Sequence, residues 1–370
     1  MARNMMKTFI WIVSVLLTVM VVVVLFILPF KHTPVFGSKA DTSGNDSTLW
    51  DDFTEYITNA NKVLTVEEVS HPNVNYVGVY TQGGLNEVAA FDKTVATNTN
   101  MVMFFKNWAN HKAFDSTEYV KAYEAGKIPV ISWEPWDPKG DTKNQPAYAL
   151  DTIIAGNHDG YIRSWARAIA DMKIPVGIRF AHEMNGYWYP WDVHDNGNSP
   201  EKYAAAWKHV VDIFRAEKAT NAMWIWSPNV NRYLADTSLA GIYPGDDYVD
   251  VVGMVGYGTR VGEVATDTFG STIAEIRGFT QKPLIITETG AEEQDDMSKA
   301  VWIDSLYQML QGDPTMIGFV WFNEKKRANW RVDTSDSAVE AFHNGAITYM
   351  TPKVPVVPQP TPTVTDVKRK

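Results

Sequence analysis

The sequence predicts an α/β protein built as a (β/α)8 TIM barrel, and three observations support this fold class. Eight short runs rich in Val, Ile and Phe recur along the chain, as expected for strands that are covered on both faces. Helical patterns separate most of these runs, and the β-then-α units together extend over about 250–300 residues. The chain of 370 residues is long enough to bury a core of that size.

The N-terminal segment is predicted to anchor the chain in a membrane. Residues 9–30 carry no charge over 22 positions, enough for a helix to cross a hydrocarbon layer about 30 Å thick. We therefore predict a cytoplasmic start and one transmembrane helix over residues 1–30, with Arg3 and Lys7 on the cytoplasmic side. The expected localisation is the cell membrane, single-pass, with the rest of the chain extracellular. A cleaved signal and secretion are the alternative, because residues 38–40 have the small-x-small pattern of a cleavage site.

The predicted barrel occupies residues 50–350, after a polar linker over residues 31–49. Its strands are predicted, in order, over Asn75–Tyr80, Met101–Lys106, Ile128–Trp133, Val176–Glu183, Met223–Ser227, Val251–Tyr257, Leu284–Glu288 and Ile317–Asn323. Segments between them, such as YIRSWARAIADMK, have the apolar spacing of helices. Residues 351–370 are rich in proline, so an extended tail is expected there.

A doubly wound α/β fold is the alternative architecture. It is disfavoured because no GxGxxG follows the first predicted strand to hold a dinucleotide. Neither a GxSxG nucleophile elbow nor a GxxxxGK[ST] phosphate loop occurs in the chain. No cofactor is expected.

Charge and composition exclude several classes of partner. The formal net charge is −10, and the first 40 residues contain basic but no acidic residues, so the remainder is more acidic still. A nucleic-acid partner is not expected, because affinity for phosphates rests on Lys and Arg. The absence of cysteine excludes disulfides and thiolate metal sites. The 14 Trp and 16 Tyr suit stacking on sugars, although a large core accounts for many of them.

Two predicted strands end in glutamate. Reacting groups of a TIM barrel lie at the carboxyl ends of its strands, where the fourth strand ends in His182-Glu183 and the seventh in Glu288. Strands four and seven stand in opposing parts of the wall, so these carboxylates are expected to face each other across the mouth. Two facing carboxylates are what a glycosidase needs: one donates a proton and the other attacks or stabilises the anomeric carbon.

The segment RFAHEMNGYWYPW, residues 179–191, carries a family resemblance. It resembles the acid/base segment of glycoside hydrolase family 26, with the pattern His-Glu-Met-Asn-Gly-x-Trp-x-Pro-Trp complete. PLIITETGA resembles that family's nucleophile strand, and the resemblance extends over about residues 75–346. It implies a retaining β-glycosidase fold and activity, with mannan or mixed-linkage glucan as the substrate class.

The resemblance also implies roles for single residues. Glu183 would be the general acid/base and Glu288 the nucleophile. His182 and the pattern's Asn185 would bind substrate. Tyr257 would hydrogen-bond the nucleophile, and Trp321 would be the platform beneath the sugar that is cleaved.

Further aromatic and charged residues extend the predicted site. Trp188, Trp191 and Arg179 are further candidates for binding substrate. Trp188 and Trp191 are also expected to raise the pKa of Glu183 by excluding water. Arg179 is predicted either to keep Glu288 ionised or to form a purely structural ion pair. The segment ISWEPWDP adds Trp133 and Glu134 as candidates for binding sugar units; it favours glucan slightly over mannan, and a structural role for Glu134 remains open.

Two alternatives to a hydrolase stay open at this stage, and zinc catalysis is not one of them. HExxH zinc binding is not expected, because position 186 is glycine rather than histidine, and no metal is predicted. A glycan-binding barrel without activity and a transglycosylase with the same residues both fit the sequence. The predicted partners are therefore a polysaccharide substrate and the membrane.

Overall fold

The structure is a computed structural model, and it describes residues 62–231, 237–295 and 297–353. Within them, eight parallel strands form a closed barrel in sequential order. The strands are β1 (Tyr76–Tyr80), β2 (Met101–Asn107), β3 (Ile128–Glu134), β4 (Val176–Phe180), β5 (Ala222–Trp226), β6 (Val251–Gly258), β7 (Leu284–Ala291) and β8 (Met316–Phe322). The predicted (β/α)8 fold is confirmed.

Helices surround the barrel in the described part of the chain. They are α1 (Val66–Ser70), α2 (Leu85–Thr94), α3 (Thr117–Glu124), α4 (Leu150–Ile154), α5 (Asp159–Met172), α6 (Pro200–Ala216), α7 (Leu239–Ile242), α8 (Ala265–Arg277), α9 (Ser298–Gly312) and α10 (Asp336–Tyr349). Short 3-10 turns lie at Pro146–Tyr148, Asp246–Tyr248 and Val332–Thr334.

Local sequence explains how these helices begin and which face they bury. Helix α6 starts where the Ser199 hydroxyl accepts a hydrogen bond from the Lys202 amide, with Pro200 in the first turn. Helix α5 buries Ile162, Trp165, Ala166 and Ile169 at helical spacing. These side chains pack toward the barrel, as the stacking of Trp165 on Trp133 of β3 illustrates, with ring centroids 5.1 Å apart.

The barrel interior changes character along its axis. Apolar side chains near the amino ends of the strands fill it, among them Met101, Met223 and Ile285. Toward the carboxyl ends the interior contains fully buried Arg179 and Ser132 instead. Since buried polar groups need partners, this end of the barrel is where a polar ligand site is expected.

The predicted membrane localisation requires correction. No helix in the described parts of the chain has both the length and the apolar character to cross a membrane. This finding contradicts the predicted single-pass, outward-facing arrangement, which is withdrawn together with the membrane as a partner. The segment 9–30 on which it rested lies outside the described residues, as do the linker over residues 31–49 and most of the tail. The domain boundaries stay a prediction.

Candidate active site

A bulge in β7 turns Glu288 into the barrel. Ile285 faces the interior and Ile286 faces the helices, and Thr287 again faces inward, where its hydroxyl lies 2.6 Å from that of Ser227. Strict alternation would send Glu288 outward. The register of β7 shifts against both neighbouring strands at this point, so that Glu288 also faces the interior.

Two donors hold the Glu288 carboxylate. Arg179 Nη1 donates to Oε2 at 3.1 Å, and the Tyr257 hydroxyl donates to Oε1 at 2.5 Å. Arg179 is fully buried and its side chain also donates to Ser227 Oγ at 3.1 Å and to Ser132 Oγ at 2.9 Å. The guanidinium is thereby fixed by residues of β3 and β7 and by the residue that follows β5, and its charge-assisted hydrogen bond orients the Glu288 carboxylate.

Glu183 lies beyond the end of β4 rather than in the strand. The strand stops at Phe180, and both Ala181 (φ 42°) and Glu183 (φ 55°) have left-handed backbone conformations. Such conformations are strained for residues with a side chain. The Glu183 amide is held by the Ser227 carbonyl at 2.8 Å. Arg179 lies within β4 and Glu183 beyond its end, and both side chains reach the same site.

The Glu183 side chain is buried and accepts two hydrogen bonds. Asn229 Nδ2 donates to Oε1, and Trp188 Nε1 donates to Oε2 at 3.3 Å. The pKa of Glu183 is raised to about 7, mainly by burial and then by the negative charge of Glu288, whereas Arg179 and the two donors act to lower it. The expected pKa rise has burial as its main cause; Trp188 itself acts in the opposite direction.

Both carboxylates line one cavity of about 640 Å³ at the mouth of the barrel. Most of its wall is aromatic or polar. The lining residues are Thr142, Glu183, Trp188, Tyr189, Asn229, Val230, Gly256, Tyr257, Thr259, Glu288, Glu292, Phe322, Lys326, Arg327 and Trp330. Two carboxyl groups in one aromatic cleft, one held by a cation and the other buried beside neutral donors, can act together on a glycosidic bond.

Comparison with known proteins identifies the family. The model of glycosyl hydrolase family 26 matches residues 131–297, which include both glutamates. Endoglucanase H of Acetivibrio thermocellus is 31% identical over 273 residues, covering 71% of this chain and 29% of that protein. The chain belongs to glycosyl hydrolase family 26.

Other relatives of this family 26 chain carry different substrate names. A mannan endo-1,4-beta-mannosidase of Bacillus subtilis is 24% identical, covering 55% of this chain and 52% of that protein. The chain thus spans less than two thirds of the length of either relative. A solved family 26 beta-mannanase from Bacteroides ovatus aligns with a TM-score of 0.56 at 18% identity, covering 78% of this chain and 92% of its own. That likeness supports the fold.

Asn229 is a site residue that sequence reasoning missed in this family 26 chain. Its backbone amide is held by Asn185 Oδ1, and its carbonyl by Asn185 Nδ2, each at 2.9 Å. Asn185, predicted to bind substrate, is fully buried and instead positions Asn229 against Glu183. The signal available was the polar SPN sequence directly after β5, at the carboxyl end of a strand.

Three tryptophans predicted for sugar binding lie outside the cavity. Trp133 is fully buried, and its indole donates to the Tyr161 hydroxyl at 3.0 Å. Trp191 is fully buried and donates to the His182 carbonyl at 2.7 Å. Trp321 packs against Trp302 and Phe342 of the surrounding helices. For Trp133 and Trp321 the reason is strand alternation: each neighbours a residue that faces the interior, Glu134 and Phe322 respectively.

Trp330, which the sequence did not single out, lies in the cavity instead. Its ring contacts Tyr257 with centroids 4.5 Å apart. Its carbonyl accepts a hydrogen bond from Trp321 Nε1 at 3.0 Å. Buried Lys299 of α9 donates to the carbonyls on either side, of Asn329 at 3.1 Å and of Arg331 at 2.6 Å. Three consecutive carbonyls are thus held, which fixes the Trp330 ring beside the Glu288 partner.

His182 and Glu134 stand next to the cavity. His182 is fully buried, contacts Tyr189 with ring centroids 5.2 Å apart, and burial lowers its pKa well below the usual value, so the ring is neutral. Burial raises the pKa of Glu134 to about 7, and Trp136 Nε1 donates to it at 3.3 Å. Neither residue is among those that line the cavity in the described parts of the chain.

Proposed function

We propose that this chain is a retaining, endo-acting β-glycoside hydrolase whose substrate is a β-linked glucan. The observation that carries the proposal is the opposed environment of two carboxyl groups in one cavity. Glu183 is buried and its pKa is raised to about 7, whereas Glu288 accepts hydrogen bonds from Arg179 and Tyr257. A proton donor and an ionised nucleophile are the two groups that double displacement requires.

The proposed reaction has two steps. The Glu288 carboxylate attacks the anomeric carbon while Glu183 protonates the glycosidic oxygen, so that the leaving sugar departs neutral and a glycosyl ester forms on Glu288. Glu183, now ionised, then takes a proton from water, which attacks the anomeric carbon and releases Glu288. Trp188 and Asn229 orient the Glu183 carboxyl throughout, because each donates to one of its oxygens.

The choice of glucan rests on relatives and not on the cavity. Endoglucanase H is 31% identical to this chain, whereas the mannan endo-1,4-beta-mannosidases that it resembles are 24–28% identical, with 24% for the Bacillus subtilis protein. The test is reaction of the purified protein with barley mixed-linkage glucan, lichenan, glucomannan, galactomannan and xylan, followed by sizing of the products. Faster cleavage of galactomannan than of either glucan would reject the glucan assignment while keeping the hydrolase.

Variants separate an enzyme from a glycan-binding barrel. Glu183→Gln should slow substrates with poor leaving groups far more than dinitrophenyl glycosides, since general acid catalysis contributes about 10²–10⁴-fold. Glu288→Ala should abolish turnover while oligosaccharides still bind. Binding without turnover by the unaltered protein on every substrate of the panel would reject the hydrolase. Sugar-acceptor products in place of hydrolysis products would instead identify a transglycosylase.

A further inference from the structure

An exposed aromatic ring lies on the rim of the catalytic cavity. Tyr187 has an exposed fraction of 41%, whereas its neighbours Trp188 and Tyr189 line the cavity wall. Gly186 allows this arrangement, because a Cβ at that position would meet the Trp188 ring at 2.6 Å. The chain therefore folds Trp188 inward and leaves the Tyr187 ring facing outward, at the point where the cavity opens.

The Tyr187 ring is supported from behind. It stacks on His194 with centroids 4.6 Å apart and planes 18° from parallel. His194 is in turn fixed, since its Nε2 lies 2.7 Å from the Thr237 hydroxyl. Stacking on an anchored imidazole orders an exposed side chain before any ligand arrives, and this lowers the entropic cost of binding.

A cationic donor lies over the Tyr187 ring. Lys143 Nζ lies 5.9 Å from the Tyr187 ring centroid and 3.4 Å from Asp195 Oδ2. Thr142, the preceding residue, lines the cavity. Lys143 has a flexible stem, so a sugar can displace its ammonium group from the ring face and then meet a flat apolar surface with a hydrogen-bond donor next to it. Such a surface suits a pyranose ring, which has C–H groups on its face and hydroxyls on its edge.

Resting on the proposed function, we propose that Tyr187, His194 and Lys143, here called the rim platform, form a further binding site for a neutral sugar unit on the leaving-group side of the cleaved bond. The side follows from connectivity. Trp188, next to Tyr187, donates to Glu183, the group that protonates the leaving oxygen. The two residues that donate to Glu288 come from other strands: Arg179 from β4 and Tyr257 from β6.

The rim platform predicts a difference between long and short substrates. A mixed-linkage glucan extends past the cleaved bond and reaches Tyr187, whereas the nitrophenyl group of an aryl β-cellobioside ends before it. Tyr187→Ala should therefore lower the ratio of kcat/KM on glucan to kcat/KM on the aryl glycoside about tenfold, the size expected for loss of one aromatic stacking surface. Tyr187→Phe should keep the ratio within about twofold, since stacking needs the ring and not the hydroxyl.

Two further variants make the test specific. His194→Ala should lower the same ratio by less than Tyr187→Ala, because it removes the support but not the surface. Tyr248→Ala is the matched control: this ring also has cations over it, Lys208 at 5.4 Å and Arg215 at 4.7 Å, but it precedes β6 at the opposite end of the barrel. The control should keep the ratio of the unaltered protein.

The outcomes are distinguishable from failure of the proposed function. An active protein whose Tyr187→Ala variant retains the unaltered ratio would overturn the rim platform and leave the hydrolase intact. If no substrate is cleaved, the hydrolase fails, and the platform is then judged by calorimetric binding of cellohexaose. Equal affinity of the unaltered protein and Tyr187→Ala for that ligand would overturn it; a loss of about tenfold would support it.

Discussion

The buried carboxyl group of Glu183 should affect the stability of the folded protein as well as its catalysis. Its pKa is raised from 4.5 to about 7, so the folded protein binds a proton more tightly than the unfolded chain does. Each pKa unit corresponds to 1.36 kcal/mol, so ionised Glu183 costs the folded state ~3 kcal/mol above pH 7. The cost is absent below about pH 4.5, where this carboxyl is protonated in both states. The contribution of Glu183 to the free energy of unfolding therefore falls as the pH rises from about 4.5 to 7.

Glu183→Gln removes this cost and should stabilise the protein at neutral pH. The Tm of the variant minus that of the unaltered protein should increase between pH 5 and pH 8 by about 5 °C, because about 2.5 kcal/mol of the cost develops over that range and ~2 °C per kcal/mol applies to a domain of this size. In the variant, the glutamine NH2 group faces either Trp188 Nε1 or Asn229 Nδ2, and both of these groups are also hydrogen-bond donors. That mismatch costs about 1–3 kcal/mol but does not depend on pH, so only the change with pH is diagnostic.

The assay combines calorimetry with kinetics on the same protein. Scanning calorimetry across the pH series gives the Tm difference, and kcat/KM of the unaltered enzyme should fall above about pH 7 with the loss of one proton. Glu134→Gln is the control, because the pKa of Glu134 is also about 7. This variant should show the same pH-dependent rise in Tm as Glu183→Gln, but its kcat/KM should still fall above about pH 7. A Tm difference for Glu183→Gln that is constant with pH would refute the reasoning.

Three further substitutions test the supports of the site. Arg179→Met should lower the free energy of unfolding in urea by about 3–5 kcal/mol, because it leaves Glu288 buried without its cation. Adding Glu288→Gln should recover part of that loss. A double variant that recovers none of it would contradict the role of the ion pair. Asn229→Ala removes a donor that lowers the Glu183 pKa, so the alkaline limb of kcat/KM should move to higher pH, and a shift to lower pH would reject the assignment. Lys299→Met leaves two carbonyls beside Trp330 without a hydrogen-bond donor, and each unpaired carbonyl costs about 1–3 kcal/mol of stability. The variant should have a lower kcat/KM on glucan and a changed tryptophan fluorescence. Unchanged values of both would show that Lys299 does not position the Trp330 ring.

Much of the architecture could be predicted because it depends on local patterns. Buried parallel strands need continuous apolar runs, and the eight predicted runs coincide with the eight strands of the barrel to within a few residues. The placement of Glu183 and Glu288 at one mouth follows from the fold, since carboxyl ends of parallel strands meet at the same edge. The segment HEMNGYWYPW by itself indicates the family.

The sequence by itself therefore determined the barrel, the family and the two carboxyl groups, because periodicity and motif are properties of neighbouring residues. Only the tertiary structure decided which way particular side chains face. A one-residue bulge turns Glu288 inward, and alternation turns Trp321 outward and leaves Trp330 in the cavity. Asn229 reaches Glu183 across 46 residues of sequence through Asn185. Such contacts are fixed by register and loop path, which depend on every strand of the closed barrel at once.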